Sequence, residues 1–231
     1  QAQRERAQIR RLEGMLAAST HELKTPVAAV RALLESLQSG VLPLEKAGPY
    51  LKKGLDSCGH LEHLIESILT YQAAMAHQTR LEKMRVQQLI EPILEHRLGS
   101  VAGEQIFCEL GEIAEKQVQA AEDPVRVILE NLLDNARKYG EQKPVRLEAQ
   151  QIGRWVELKI KDEGSGFSPE EAEALFEPYQ RGKSGKKIHG TGLGLYLSRG
   201  LARSMGGDLL AESAGPGKGA CFTLRLLAGT D

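Results

Sequence analysis

Residues 1 to about 39 carry apolar side chains at spacings of three and four: Ile9, Leu12, Leu16, Leu23, Val27, Val30, Leu34 and Leu37, with Ser19 at one of the inward positions. A seam sustained over that length marks a bundle or coiled-coil helix rather than the short helix of a mixed domain. Ser39, Gly40 and Pro43 end it, because Gly and Pro interrupt the helical ladder. A second helical stretch sets Leu51, Leu55, Cys58, Leu61, Ile65, Ile68 and Met75 on one face. The two form a predicted helical hairpin joined near residues 39–48. One hairpin cannot bury both flanks of such a seam, whereas two side by side make a four-helix bundle, so the pattern predicts a homodimer. The alternative, packing of the hairpin on the rest of the chain, is less favoured because the rest reads as self-sufficient.

Residues 80–86 read as a linker, and from about residue 87 the pattern changes. A helix is followed by the strands QIFCEL and KQVQAA and by the helix PVRVILENLLDNARKYG. The segment VRLEAQQIGRWVELKIKDEG alternates apolar and polar residues about Gly153, which predicts a hairpin. A Gly-rich region, a helix over 193–205 and a final strand CFTLRLL complete the chain. Strands mixed with helices in this way indicate an α+β sandwich, one sheet faced by helices. The expected organisation is multidomain: an all-α hairpin over 1–79, the linker 80–86, and an α+β domain over 87–231.

The chain has 231 residues, enough for two small domains. Its net charge of −1 argues against a polyanion-binding surface and so against nucleic acid as a partner. Aromatic residues at 4% fit aliphatic helices better than a β-sandwich. Cys58, Cys108 and Cys221 are odd in number and widely spaced with no CxxC pair, which disfavours zinc and a disulfide framework and fits reduced thiols in a cytosolic protein. No apolar run nears the roughly 20 residues that span a bilayer, and no signal peptide is present. The opening QAQRERAQIRR is polar and helical without a natural beginning, so an upstream part is expected to be missing.

Four segments carry candidate chemistry. His21 lies in STHELKTP, two residues from the inward Ser19 and Leu23, a rotation of about 200° that turns it away from the bundle core. A neutral imidazole is a nucleophile at neutral pH, and the adjacent Glu22 can hold the ring proton; a plain surface histidine has the same position. Asn131 and Asn135 in NLLDNARKYG share a helix face. Their amide oxygens suit a hard cation such as Mg²⁺ beside phosphates, with Lys138 a turn beyond and the Tyr139 ring available to a base; a solvated polar face is the plainer reading. In DEGSGF, Asp162 closes a strand, and Gly164 and Gly166 permit a tight turn close to a flat ligand. A carboxylate there accepts from an exocyclic amine and so selects adenine over guanine, though Asp/Gly turns are common. GTGLGL, residues 190–195, runs into a helix and leaves backbone N–H groups facing an anion. It is neither a Walker loop nor a dinucleotide fingerprint. The basic stretch QRGKSGKKIH before it suits a mobile cover over a triphosphate or a disordered loop.

Taken in order, HELKTP, NLLDNARKY, DEGSG, LFEPYQRG and GTGLGL resemble the H, N, G1, F and G2 boxes of sensor histidine kinases of two-component systems, over nearly the whole chain. The resemblance implies a dimerisation and phosphoacceptor hairpin followed by a Bergerat-type ATPase domain. It implies that His21 accepts the phosphoryl group with Glu22 as its acid–base neighbour, and that Asn135 and Asn131 serve Mg²⁺. Lys138 is then assigned to phosphate, Tyr139 to the adenine ring and Asp162 to the adenine amine, with Gly164 and Gly166 shaping that wall. Gly190, Thr191, Gly192, Leu193 and Gly194 border the phosphates, and Arg181, after the F box, reaches the γ-phosphate. Thr25, four residues after His21, matches the position that aims a water at a phosphorylated response regulator, which implies a phosphatase activity as well. Thr20 and Pro178 depart mildly from the family pattern.

The implied reaction is ATP-dependent autophosphorylation of His21, then transfer to an aspartate on a response-regulator receiver domain. The core is expected in the cytoplasm, with an upstream sensor region and a parent protein anchored in the inner membrane. An ATPase of the chaperone or repair type, with water as acceptor, would leave HELKTP without a task. A dimeric scaffold with a vestigial nucleotide site would have lost a box, and none is lost.

Overall fold

The computed structural model describes residues 24, 26–75, 80–100, 105–141, 143–178, 180 and 192–229. The chain divides into two compact units, Gln1–Glu66 and Ser67–Asp231.

In the first unit a helix over 26–38 (α1) leads through a 3₁₀ turn at Leu44–Lys46 into α2, Gly48–Met75. Leu42 N–H closes the turn on the Ser36 carbonyl at 3.0 Å. A Cβ on Gly54 would lie 3.0 Å from Cδ2 of Leu33, so the two helices approach closely there. Much of the rest of the apolar seam is uncovered, although Val30, Leu37 and Leu61 are half-buried and Ile68 is buried. Val27, Leu34, Leu51 and Ile65 are exposed, and Leu55 is 73% exposed. Large apolar side chains left to water along one helix pair mark an interaction surface.

In the second unit β1 (Glu82–Arg85), α3 (Val86–Ser100), β2 (Ile106–Glu109), β3 (Gln117–Ala120), α4 (Glu122–Tyr139), β4 (Val145–Ile152), β5 (Trp155–Asp162), α5 (Gly194–Ser204), β6 (Asp208–Glu212) and β7 (Ala220–Ala228) follow the C-terminal turns of α2. The strands form one sheet in the order β1-β3-β7-β5-β4-β2, with β6 also paired to β7. Among the described residues only β2 with β4 runs parallel. Alternation along β5 sends Val156, Leu158 and Ile160 into the core, as the period of two requires. Leu147 of β4 and Leu224 and Leu226 of β7 meet the same core, which α4 closes with Ile128, Leu129, Leu132 and Leu133 and α5 with Leu201.

Two strands differ from the sequence expectation. The stretch 80–86 read as a linker holds β1, paired antiparallel to β3 from Glu82↔Ala120 to Arg85↔Gln117. Its polar composition is that of an edge strand, which charged side chains keep from further pairing. β6 was not expected either; its Leu209 is fully buried, but five residues give too short a pattern to recognise.

The short 3₁₀ turn at Ala174–Phe176 is tied to α5 through Arg199. The Arg199 guanidinium lies 4.4 Å from the centroid of the Phe176 ring. It donates to Glu173 at 2.7 Å and to Asp208 at 3.0 Å. A half-buried cation with two carboxylates and an aromatic face outweighs exposed ion pairs as a fastening.

Candidate nucleotide-binding site

The apolar stripe of α4 faces the sheet, which leaves Asn131, Asn135 and Lys138 along another face of the helix. Asn131 and Asn135 are half-buried and Lys138 is exposed. Asn131 Nδ2 donates to Oγ of Ser198 on α5 at 3.0 Å. Neither Asn131 Oδ1 nor the Asn135 carboxamide has a hydrogen-bond partner among the described residues. The half-exposed Tyr139 closes the helix.

Asp162, at the end of β5, is 8% exposed. Its Oδ1 accepts the backbone N–H of Gly164 at 2.9 Å and of Ala220 at 3.3 Å. Its Oδ2 accepts nothing from the described residues. Burial pushes this carboxyl above its ordinary range, outweighing the two N–H groups that pull it down. A buried acceptor with one open oxygen is a demand for a donor, because an unmet polar group in such a place is costly.

The turn after Asp162 is held from both sides. Gly164 lies against the end of α4: a Cβ there would overlap the Tyr139 carbonyl oxygen and come within 2.5 Å of Gly140 Cα. Ser165 N–H donates to that same carbonyl at 3.0 Å. On the far side, Gly217 N–H donates to Ser165 O at 2.6 Å and Gly219 N–H to Gly164 O at 3.1 Å. Ser213 Oγ accepts Phe167 N–H at 3.2 Å and donates to Gly219 O at 2.7 Å. The β6–β7 connection therefore supports the turn that positions Asp162.

At α5, Gly194 opens the helix after Leu193, and no side-chain cap closes the first turn. Uncapped N–H groups at a helix start favour an anion. A Cβ on Gly194 would collide with Asn131 Oδ1 and sit 2.9 Å from its Cγ, so the glycine makes room for the asparagine. Leu193 is fully buried.

Contacts thus join the anticipated Asp162 to Gly164, Gly164 to Tyr139, and Asn131 to Gly194. Gly166 packs on the β6–β7 connection, where Gly215 and Gly219 leave no room for a Cβ. His21, Glu22, Thr25, Arg181, Gly190 and Thr191 lie outside the described residues. Ser198, Ser213, Gly219 and Ala220 were not anticipated. The Gly/Pro-rich SAGPGKG marks a loop in the sequence, but its partners are remote in the chain.

Among the described residues no group of three His, Cys, Asp or Glu can hold a metal ion. The two unpartnered asparagine oxygens are hard donors, and a cation that keeps mostly water and phosphate ligands, Mg²⁺, suits so sparse a set.

Residues 11–80 match the His Kinase A (phospho-acceptor) domain. Residues 120–230 match the histidine kinase-, DNA gyrase B- and HSP90-like ATPase family. The sensor protein TorS of Escherichia coli (strain K12) is 31% identical over 217 residues, covering 91% of this chain but only 23% of TorS. The chain therefore spans less than a quarter of that relative. The structure of Acinetobacter baumannii histidine kinase AdeS superposes with a TM-score of 0.69 at 22% identity, covering 91% of this chain and 98% of AdeS. Histidine kinase ThkA, solved in complex with the response regulator protein TrrA, gives a TM-score of 0.72 at 19% identity, covering 98% of this chain and 64% of that one.

Proposed function

This chain belongs to the histidine kinases, as a core that joins a phosphoacceptor domain to an ATPase domain, and on that premise we propose that it transfers the γ-phosphoryl group of ATP to His21. The observation that carries the nucleotide reading is Asp162. Its saturated Oδ1 fixes the carboxylate and its open Oδ2 awaits a donor, which the exocyclic amine of adenine supplies. The Tyr139 ring lies along the base, and Lys138, Arg181 and the backbone of Gly190, Thr191, Gly192, Leu193 and Gly194 attend the phosphates. Asn135 and Asn131 would hold Mg²⁺, which when bound neutralises phosphate charge.

In the transfer a ring nitrogen of His21 bonds to the γ-phosphorus as the bond to the ADP oxygen breaks. Glu22 holds the proton on the other ring nitrogen and offsets the positive charge that develops. Positioning accounts for most of the catalysis in such reactions. The phosphoryl group then passes to a response-regulator aspartate, and Thr25 aims water at the phosphorylated regulator in the reverse sense. The exposed stripe of Val27, Leu34, Leu51, Leu55 and Ile65 is the surface for a second copy. The domains assigned are 1–79 and 87–231, with β1 of the intervening 80–86 built into the sheet. No helix among the described residues is long and apolar enough to cross a membrane; a cytoplasmic placement below an upstream sensor, membrane-anchored in the parent protein, is part of the same proposal.

The test is incubation with γ-labelled ATP. The wild type becomes labelled in an acid-labile, alkali-stable linkage, and His21→Gln stays unlabelled while still binding nucleotide. ATP turnover to water that survives His21→Gln undiminished would overturn the reading.

Gly194→Ala separates site from fold. The clash is with the end of a flexible side chain, so the fold holds. Asn131 must swing away, however. The expected outcome is a thermal midpoint within roughly 4 °C of the wild type, any helix gain being offset by the loss of the Asn131 bond to the buried Ser198 hydroxyl, with Mg²⁺-dependent nucleotide binding weakened about tenfold or more, measured by calorimetry on the same sample.

A further inference from the structure

Each of the two N–H groups that hold Asp162 Oδ1 belongs to a peptide group whose carbonyl is gripped in turn by a side chain. The Glu163 carbonyl, in one plane with the Gly164 N–H, accepts from Lys143 Nζ at 2.9 Å. The Gly219 carbonyl, in one plane with the Ala220 N–H, accepts from Ser213 Oγ at 2.7 Å. A trans peptide is rigid and planar, with C=O and N–H pointing opposite ways, so fixing the oxygen fixes the hydrogen. The polarity of both contacts is forced. A carbonyl oxygen can only accept, and an ammonium can only donate. Ser213 has one hydrogen to give, and Gly219 O is nearer to it than Gly215 O at 3.2 Å. Its oxygen takes the backbone N–H groups of Phe167 and Gly215, both at 3.2 Å, which can only donate. A donor on a carbonyl also polarises the peptide and strengthens the bond that its N–H makes.

We propose that Lys143 and Ser213 are positioning residues for recognition of the base: they hold the two peptide groups that clamp Asp162 Oδ1, and so keep Oδ2 aimed at the exocyclic amine of adenine. The proposal rests on the reading that Asp162 faces that amine. The two side chains come from separate parts of the chain, Lys143 from the α4–β4 connection and Ser213 from the β6–β7 connection. Lys143 also lies 3.5 Å from Glu141 within its own connection. Without these grips Asp162 stays buried, but its carboxylate turns more freely about its last bond. The open oxygen is then less often in line with the amine, and the loss falls on the base rather than on the sugar or the phosphates.

The experiment compares binding of ADP to the full chain with binding of purine riboside diphosphate, which has the same sugar and phosphates but lacks the amine. The wild type is expected to prefer ADP about tenfold or more, the effect of a hydrogen bond to a charged acceptor. Ser213→Ala and Lys143→Met each lower that preference about three- to tenfold, the range of one net hydrogen bond. A merely structural role weakens both nucleotides equally, and a partly unfolded sample does the same, so the ratio isolates positioning. Lys143 is half-exposed, and its methionine variant decides alone should Ser213→Ala not fold. A preference within about twofold of the wild type in either folded variant overturns the proposal. Equal binding of the two nucleotides by the wild type overturns the reading of Asp162 and the proposal with it.

Discussion

Asp162→Asn is expected to abolish the preference for ATP without unfolding the protein. The two N–H groups of Gly164 and Ala220 fix an acceptor at the Oδ1 position. In the asparagine the carbonyl must occupy that place, and the NH₂ takes the position of Oδ2. Adenine presents an amine there, so donor faces donor. Losing a hydrogen bond to a charged acceptor and gaining a repulsive pair lowers ATP affinity by roughly two to three orders of magnitude. A base with a carbonyl at that position now finds a donor, so inosine triphosphate should bind the variant better than ATP does. The fold should not suffer, since burial already penalises the charge of Asp162 and raises its titration above the ordinary carboxylate range. Parallel titrations with the two nucleotides read this out, and a variant that still preferred ATP would show that Asp162 does not face the base.

The largest effect on stability is expected for Gly164→Ala. Its Cβ would lie 2.6 Å from the Tyr139 carbonyl carbon and 2.5 Å from Gly140 Cα, and would overlap the Tyr139 oxygen. These are backbone atoms and cannot rotate aside as the Asn131 side chain can. Either the end of α4 or the turn after β5 must move, and the Ser165–Tyr139 bond and the Asp162–Gly164 bond go with it. We expect a cost of about 3–5 kcal/mol, or a thermal midpoint lowered by roughly 6–20 °C for a chain of this size. Nucleotide affinity should fall as well, since Asp162 loses its closer N–H donor. A wild-type melting curve for Gly164→Ala would contradict the packing described for this turn.

Much of this was legible in the sequence where one local pattern governs. The β4–β5 hairpin turns at Gly153 as its alternation predicts, and β5 sends Val156, Leu158 and Ile160 inward. The helix expected over 193–205 is α5, Gly194–Ser204, and CFTLRLL lies within β7. What escaped was decided by partners far away in the chain. β1 has only Met84 turned partly inward, and its strand character comes from pairing with β3 rather than from its own residues. Ser198 looked like one more residue in a helix, because its meaning lies in Asn131, 67 positions away. Ala220 likewise acts on Asp162 through its backbone, 58 positions distant, and a backbone N–H leaves no trace in residue type. The exposed seam of the hairpin was foreseen as apolar, and its exposure in a single chain follows from the physics that predicted a second one.

The central claim is that the phosphoryl group of ATP ends on the His21 ring. The most direct measurement is the placement of phosphate within the tryptic peptide LEGMLAASTHELK, residues 12–24, isolated under alkaline conditions after incubation with Mg²⁺ and ATP. The account predicts one phosphate, carried on His21 and released by acid. Phosphate found instead on Ser19 or Thr20, or a peptide that stays unmodified while ATP is consumed, would contradict it.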